Sequence, residues 1–464
     1  MAKKILLIYP KSPVMNREDR CQQPTKDLLV IPPLPPTDLL YLAAVAEKAG
    51  LEAFIRDYSL GGDFEQDLRE IQPDYLLANI ATPTLYSDLE CFSTSKKILP
   101  KIINIAKGAI FLTKNDEIML KNKTISYIIS GEAEETLKEL LEKEKEPKDI
   151  LGLWYREGFV VKFSGVRPFI QELDTLPFPA RHLIDNNIYR RPDNNKVQAV
   201  IKVSRGCPHH CFFCLATPTS GRKVRMRSPE NIIAEIRECI NKYKIKNFIF
   251  WSDIFNYDRE WTVNLCEKII KSGLKFTWSA NTRADTADEK MAKLMYKAGC
   301  RLVSIGSESG SQFILDKIGK NITLNEIRDT VKAFKKAHIK IYNYFVIGLP
   351  WEDEQTAQNT IDFAIELDTD FVSFYTATPL PGTRFYNYAI KELHEDIQNY
   401  DNAYYEPVLK TYSLSKERVF ELHKKAVKSY YLRPLYILKM LTKIRSLYEI
   451  KSYFMAGMRV LLNR

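Results

Sequence analysis

The chain has no apolar run of the roughly 18–20 residues that a membrane-spanning helix needs. Its apolar start, Ile5 to Tyr9 behind Met1-Ala2-Lys3-Lys4, is too short for a secretory h-region, so a cytoplasmic address is expected. Glycine and proline are sparse, 18 and 23 of 464 residues, which excludes collagen-like and low-complexity chains. Histidine is sparser still. The six are His182, His209, His210, His338, His394 and His423, so the first 181 residues offer no imidazole to a metal. Eight cysteines make no disulfide framework: five are scattered (Cys21, Cys91, Cys239, Cys266, Cys300), and Cys207, Cys211 and Cys214 crowd into one short loop. Acid is nearly missing from the end of the chain. From Leu422 to Arg464 ten Lys/Arg face one acid, Glu449, so this segment carries +9 of the net +10.

What is present is an ordinary globular composition, 45% apolar and 27% charged. At roughly 100–200 residues per domain, the length predicts two to four domains. Residues 1–150 alternate strands at 4–9, 52–57, 75–81, 109–112 and 127–130 with helices at 37–49, 63–71, from Ser87, and at 133–145. Such alternation predicts an α/β domain with a parallel sheet, whose ligands bind at the carboxyl ends of its strands. A turn-rich linker, 151–198, holds a hairpin and Leu176-Pro177-Phe178-Pro179-Ala180. Strands at 199–204, 247–253, 275–281, 302–307, 340–347 and 371–376, with helices between them, then predict a partial or complete parallel barrel over 199–385. From about Tyr386 to the end, 386–464, the pattern is helical and basic.

The loop after the first barrel strand reads Ser204-Arg205-Gly206-Cys207-Pro208-His209-His210-Cys211-Phe212-Phe213-Cys214. Three thiolates at this spacing can each hold one iron of a four-iron four-sulfur cluster and leave the fourth iron open to a ligand. The competing reading is a zinc site completed by His209 or His210, although no second Cys/His hook is present to make one.

The loop, its position after the first strand, and Phe213 ahead of Cys214 resemble the radical S-adenosylmethionine superfamily. Later strand ends are similar too: Trp251-Ser252-Asp253, Ser279-Ala280-Asn281-Thr282-Arg283, Ile305-Gly306-Ser307-Glu308, Ile347-Gly348-Leu349-Pro350 and Thr378-Pro379-Leu380-Pro381-Gly382-Thr383. The first domain, with Pro32-Pro33-Leu34-Pro35-Pro36 and Gly131-Glu132-Ala133-Glu134-Glu135-Thr136, resembles the cobalamin-binding branch, so the resemblance covers nearly the whole chain. It departs from that branch at Asp57-Tyr58-Ser59-Leu60-Gly61, which lacks the usual histidine, and at Lys107-Gly108-Ala109-Ile110-Phe111, which lacks a Gly-Gly-Pro-His-like turn.

The resemblance implies a Rossmann-like cobalamin-binding domain, a partial (β/α) barrel and a helical C-terminal region. It implies cluster ligation by Cys207, Cys211 and Cys214, and cofactor contacts from Phe213, Asp253, Asn281, Arg283, Gly306, Glu308 and Gly348. The implied cofactors are a four-iron four-sulfur cluster, S-adenosylmethionine, and cobalamin without a protein histidine beneath it. The implied reaction is methyl transfer to an unactivated carbon or phosphorus centre. A radical cyclase or rearrangement enzyme is the alternative within the family, and a non-catalytic iron-sulfur or zinc scaffold the alternative outside it. A methylthiolating enzyme would need a second cluster on three N-terminal cysteines, and only Cys21 and Cys91 are there. Expected partners are an electron donor such as flavodoxin or ferredoxin and an apolar, anionic small molecule, met by loops 217–227 and 256–259 and by the tail. The tail, 422–464, also suits peripheral contact with a membrane surface, or else a helical cap on the barrel; nucleic acid is disfavoured.

Overall fold

The computed structural model describes residues 2–18, 21–24, 33–142, 144–191, 194–395, 397, 399–400, 403, 406–444 and 446–462. The motif residue Pro32 therefore lies outside the described residues. In chain order the first strands are β1 (Lys4–Tyr9), a hairpin of β2 (Met15–Glu18) and β3 (Cys21–Pro24), then β4 (Glu52–Asp57), β5 (Tyr75–Asn79), β6 (Ile103–Lys107), β7 (Tyr127–Ile129), β8 (Leu153–Glu157) and β9 (Val160–Phe163). Seven of them form one sheet in the order β4-β1-β5-β6-β7-β8-β9. The first five strands in this order run parallel, and β8 and β9 are antiparallel additions. Ile5 to Ile8 are all fully buried, as befits a strand covered by helices on both faces. Strand order reverses about β1, so the crevice of this sheet opens at the carboxyl ends of β1 and β5.

Two expectations are corrected here. The segment Ala109–Leu112 is a single 3-10 turn, and the strand is Ile103–Lys107 before it. Its sequence, Ile-Asn-Ile-Ala-Lys, conceals a buried strand because Asn104 is fully buried yet donates its amide to the carbonyls of Phe92 and Thr124. Gly108 ends it with φ +143, and a Cβ there would lie 2.0 Å from the Ile80 carbonyl. The hairpin read as part of the linker is β8 and β9, which extend the first sheet through Phe163.

The second sheet follows β10 (Ala199–Lys202) and a short antiparallel pair, β11 (Ser204–Arg205) with β12 (Arg225–Met226). It continues with β13 (Asn247–Trp251), β14 (Thr277–Thr282), β15 (Cys300–Glu308), β16 (Lys340–Ile347) and β17 (Phe371–Thr376). Six strands pair in sequence order, β10-β13-β14-β15-β16-β17, all parallel. The result is an open partial barrel. Its intervening helices form for local reasons: Leu324–Lys336 starts on a capping box of Thr323 and Glu326 and buries Ile327, Val331 and Phe334 at helical spacing.

The chain after β17 is not uniformly helical. Between the helices Arg384–Lys391 and Lys416–Tyr431, the described residues form a strap across the barrel end. Thr376 and Thr378 both donate their hydroxyls to the Ala403 carbonyl, and Tyr400 donates to that of Pro379. The Lys416–Tyr431 helix then packs along the β17 edge of the barrel. His423 bonds the Phe374 carbonyl, and Tyr430 and Tyr431 donate to those of Thr369 and Val372. Among the described residues no helix is long and apolar enough to cross a membrane.

Candidate active site

The cysteine loop leaves β11 through Gly206, whose φ is +101 and whose Cβ, if present, would lie 2.1 Å from the Lys223 carbonyl. Only glycine fits there. Past it, Phe212 is the loop's anchor. Its amide donates to the Ile318 carbonyl, its carbonyl accepts from Phe385, and its ring packs on Trp351, Phe385 and Tyr388. The three cysteines around that anchor are half-buried and in no disulfide. The Ala216 amide points at Cys214 Sγ from 3.4 Å. Among the described residues no three His, Cys, Asp or Glu side chains converge on a single metal ion. Thiolates that each bind a different iron need no common centre. The donor set fits a cluster.

Beside Phe213 and Cys214 the barrel holds a cavity of about 320 Å3. Its wall includes Trp251, Asn281, Glu308, Tyr342, Tyr344 and Tyr375 from successive strands, and the N-terminal domain and linker add Asn16, Leu34 and Arg191. Glu308 is buried at φ +63, just past a register shift in β15. Its carboxylate accepts from Lys320 Nζ at 2.7 Å. Burial works against charge on Lys320, but Glu308 and the Cys211 thiol outweigh it and hold the ammonium above its usual range. Gly306 makes room for this pair, since a Cβ there would sit 2.2 Å from Glu308 Oε1.

The remaining residues singled out from the sequence divide by position. Asp253 accepts the Gly206 amide at 2.8 Å and so braces the cysteine loop from below. Arg283 sits behind the cavity wall, donating to the carbonyls of Lys320 and Asn321 and pairing with Asp285. Gly348 lies under the tail: its φ is +92, and a Cβ would be 2.6 Å from Val419. Loops 217–227 and 256–259 contribute nothing to the cavity wall. Arg225 and Arg227 of the first are instead committed to buried ion pairs with Glu132 and Glu235.

Sequence reasoning missed Lys320, the three tyrosines and the junction between domains. Tyr342 and Tyr344 share the inner face of β16 through their two-residue spacing, a signal that was present. The junction was not signalled by any spacing. Arg205 pairs with Glu132 and Glu134, Arg225 pairs with Glu132, and Lys202 with Glu18. Through these pairs the carboxyl ends of the two sheets face each other across a charged cleft of about 90 Å3, which also contains Asp38, Lys107 and Asp253. The N-terminal side holds no histidine, so it offers no imidazole to a corrin's cobalt.

A family model described as the radical SAM superfamily matches residues 201–364. The chain is 32% identical to an uncharacterised methyltransferase of Pyrococcus horikoshii over 437 residues, 89% of this chain and 94% of the relative. It is 26% identical to the anaerobic magnesium-protoporphyrin IX monomethyl ester cyclase of Cereibacter sphaeroides over 83% of this chain and 65% of the relative. Among solved structures it is similar to the radical S-adenosylmethionine methyltransferase TsrM of Kitasatospora setae with cobalamin and a four-iron four-sulfur cluster bound. That likeness has a TM-score of 0.66 at 18% identity, over 83% of this chain and 74% of the other.

Proposed function

Because the chain belongs to the radical S-adenosylmethionine superfamily, we propose that it is a cobalamin-dependent methyltransferase acting on an unactivated carbon or phosphorus centre of a small molecule. The observation that carries this reading is the cysteine loop opening onto an aromatic barrel cavity to which Asn16 and Leu34 of the N-terminal domain also contribute. When bound, the cluster with S-adenosylmethionine supplies a 5′-deoxyadenosyl radical, and cobalamin supplies the methyl group. Cys207, Cys211 and Cys214 hold the cluster. Glu308 and Asn281 bind the polar groups of S-adenosylmethionine, and Lys320 and the room left by Gly306 hold the Glu308 carboxylate in place. Phe213, Trp251 and the tyrosines of β16 and β17 exclude water and favour an apolar substrate. Asp253, acting through the Gly206 amide, holds the cysteine loop in register with β13. An electron donor of the flavodoxin or ferredoxin class completes the cycle.

The relative that is a cyclase supports a second reading, radical cyclisation on the same scaffold. Anaerobic purification, iron and sulfide reconstitution, and spectra with and without hydroxocobalamin test the first step, with 5′-deoxyadenosine as the assayed product. Co-eluting cobalamin together with transfer of a labelled methyl group from S-adenosylmethionine supports methyl transfer. Cleavage without bound cobalamin or label transfer supports the cyclase reading, and loss of both cluster and cleavage defeats the two.

A further inference from the structure

The basic tail divides into a half that the barrel uses and a half that it does not. In the Lys416–Tyr431 helix the large residues Val419, Leu422 and Tyr430 are buried against the barrel. In the Leu447–Leu462 helix the pattern inverts. Its buried residue is the small Ala456, while Leu447 (84% exposed), Ile450, Phe454 (64%) and Leu461 face outward. Their spacing of three, four and seven residues lays them along one stripe. The Pro434–Leu441 helix turns Tyr436 and Met440 inward and leaves Leu435, Leu438 and Leu441 outside. Of 24 exposed large apolar side chains among the described residues, ten lie on these two short helices. A patch of this kind marks an interaction surface rather than scattered surface residues.

Charge identifies what meets it. Arg433, Lys439 and Lys443 reach back to Asp368 and Asp370 at the base of β17, pinning the helices to the barrel with their apolar faces outward. Lys451 is exposed beside the stripe, Arg459 is exposed on another face of the same helix, and the segment's one acid, Glu449, is half-buried. Apolar side chains flanked by exposed cations match the acyl and phosphate layers of an anionic bilayer. We propose that residues 434–462 form an interfacial anchor that seats the protein on anionic lipid. Residues 422–431 of the basic segment singled out from the sequence lie in the helix Lys416–Tyr431, which belongs to the barrel and not to this anchor. The inference is independent of the reaction catalysed.

The test sediments the reconstituted full chain with phosphatidylcholine vesicles, with or without phosphatidylglycerol. The expected result is co-sedimentation with the phosphatidylglycerol vesicles, weakened by salt and reduced about tenfold by the pair Leu438→Glu and Phe454→Glu. Both positions are exposed, so the variant is expected to keep the wild-type unfolding temperature and cluster absorbance. Wild type that stays in the supernatant with either vesicle overturns the proposal, as does equal sedimentation of wild type and variant. A lipid-free dimer abolished by the variant also overturns it, making the face a contact between copies.

Discussion

Glu352 ends the Gly348-Leu349-Pro350-Trp351-Glu352 loop and is fully buried. Its Oε2 accepts the Gly348 amide at 2.6 Å, and its Oε1 faces no hydrogen-bond partner. Burial lifts this carboxyl from 4.5 to about 8, and the Gly348 and Leu349 amides oppose the rise without cancelling it. Below pH 4.5 both the folded and the unfolded chain carry the proton, so the group costs nothing. Between 4.5 and about 8 only the unfolded chain has lost it, and stability falls as pH rises; above about 8 the loss levels off. At about 1.4 kcal/mol per pH unit, the whole window is worth on the order of 5 kcal/mol as an upper limit. Glu352→Gln keeps an acceptor for the Gly348 amide and cannot ionise. Unfolding temperatures of both proteins, measured anaerobically at matched cluster loading from about pH 5 to about pH 9, should diverge in the variant's favour as pH rises and then run parallel. Curves parallel throughout would refute the reasoning and mean that Glu352 is ionised in the folded protein.

Three further outcomes follow from particular contacts. Asp88→Asn leaves the Arg17 guanidinium buried beside an uncharged partner, both side chains having no exposure, and should cost about 3–5 kcal/mol in urea unfolding; replacing the pair together with Met and Leu should recover most of that. Gly306→Ala places a methyl against Glu308 Oε1 and Lys320 Nζ, so binding of S-adenosylmethionine, measured by calorimetry, should weaken about tenfold or more, roughly 1.4 kcal/mol, with iron content unchanged. Glu132→Ala strips a carboxylate from both Arg205 and Arg225; a loss of about 3 kcal/mol is expected, with accelerated proteolysis at the domain junction, and an unchanged protein would mean that these pairs do not hold the two domains together.

Much of this architecture was legible because its signals are local. Apolar runs of strand length and helical periodicity located β1, β4, β16, β17 and most barrel helices, and the crowding of Cys207, Cys211 and Cys214 marked the site without reference to any distant residue. Where a strand carried Asn104 and Lys107, the pattern misled, because burial of those side chains depends on the Phe92 and Thr124 carbonyls and on Asp38, which only folding brings near. The tail was legible as apolar and basic, but not in which half packs.

By itself, then, the sequence determined most of the elements, their order, and which loop carries three thiols, since each depends on residues within a few turns of one another. Tertiary structure decided that Lys320 meets Glu308, that Glu132 joins two domains, and which face of the tail is left outside. Those are contacts between residues far apart in the chain, and their energies depend on desolvation and on room made by Gly306 or Gly348, neither of which is written in local spacing.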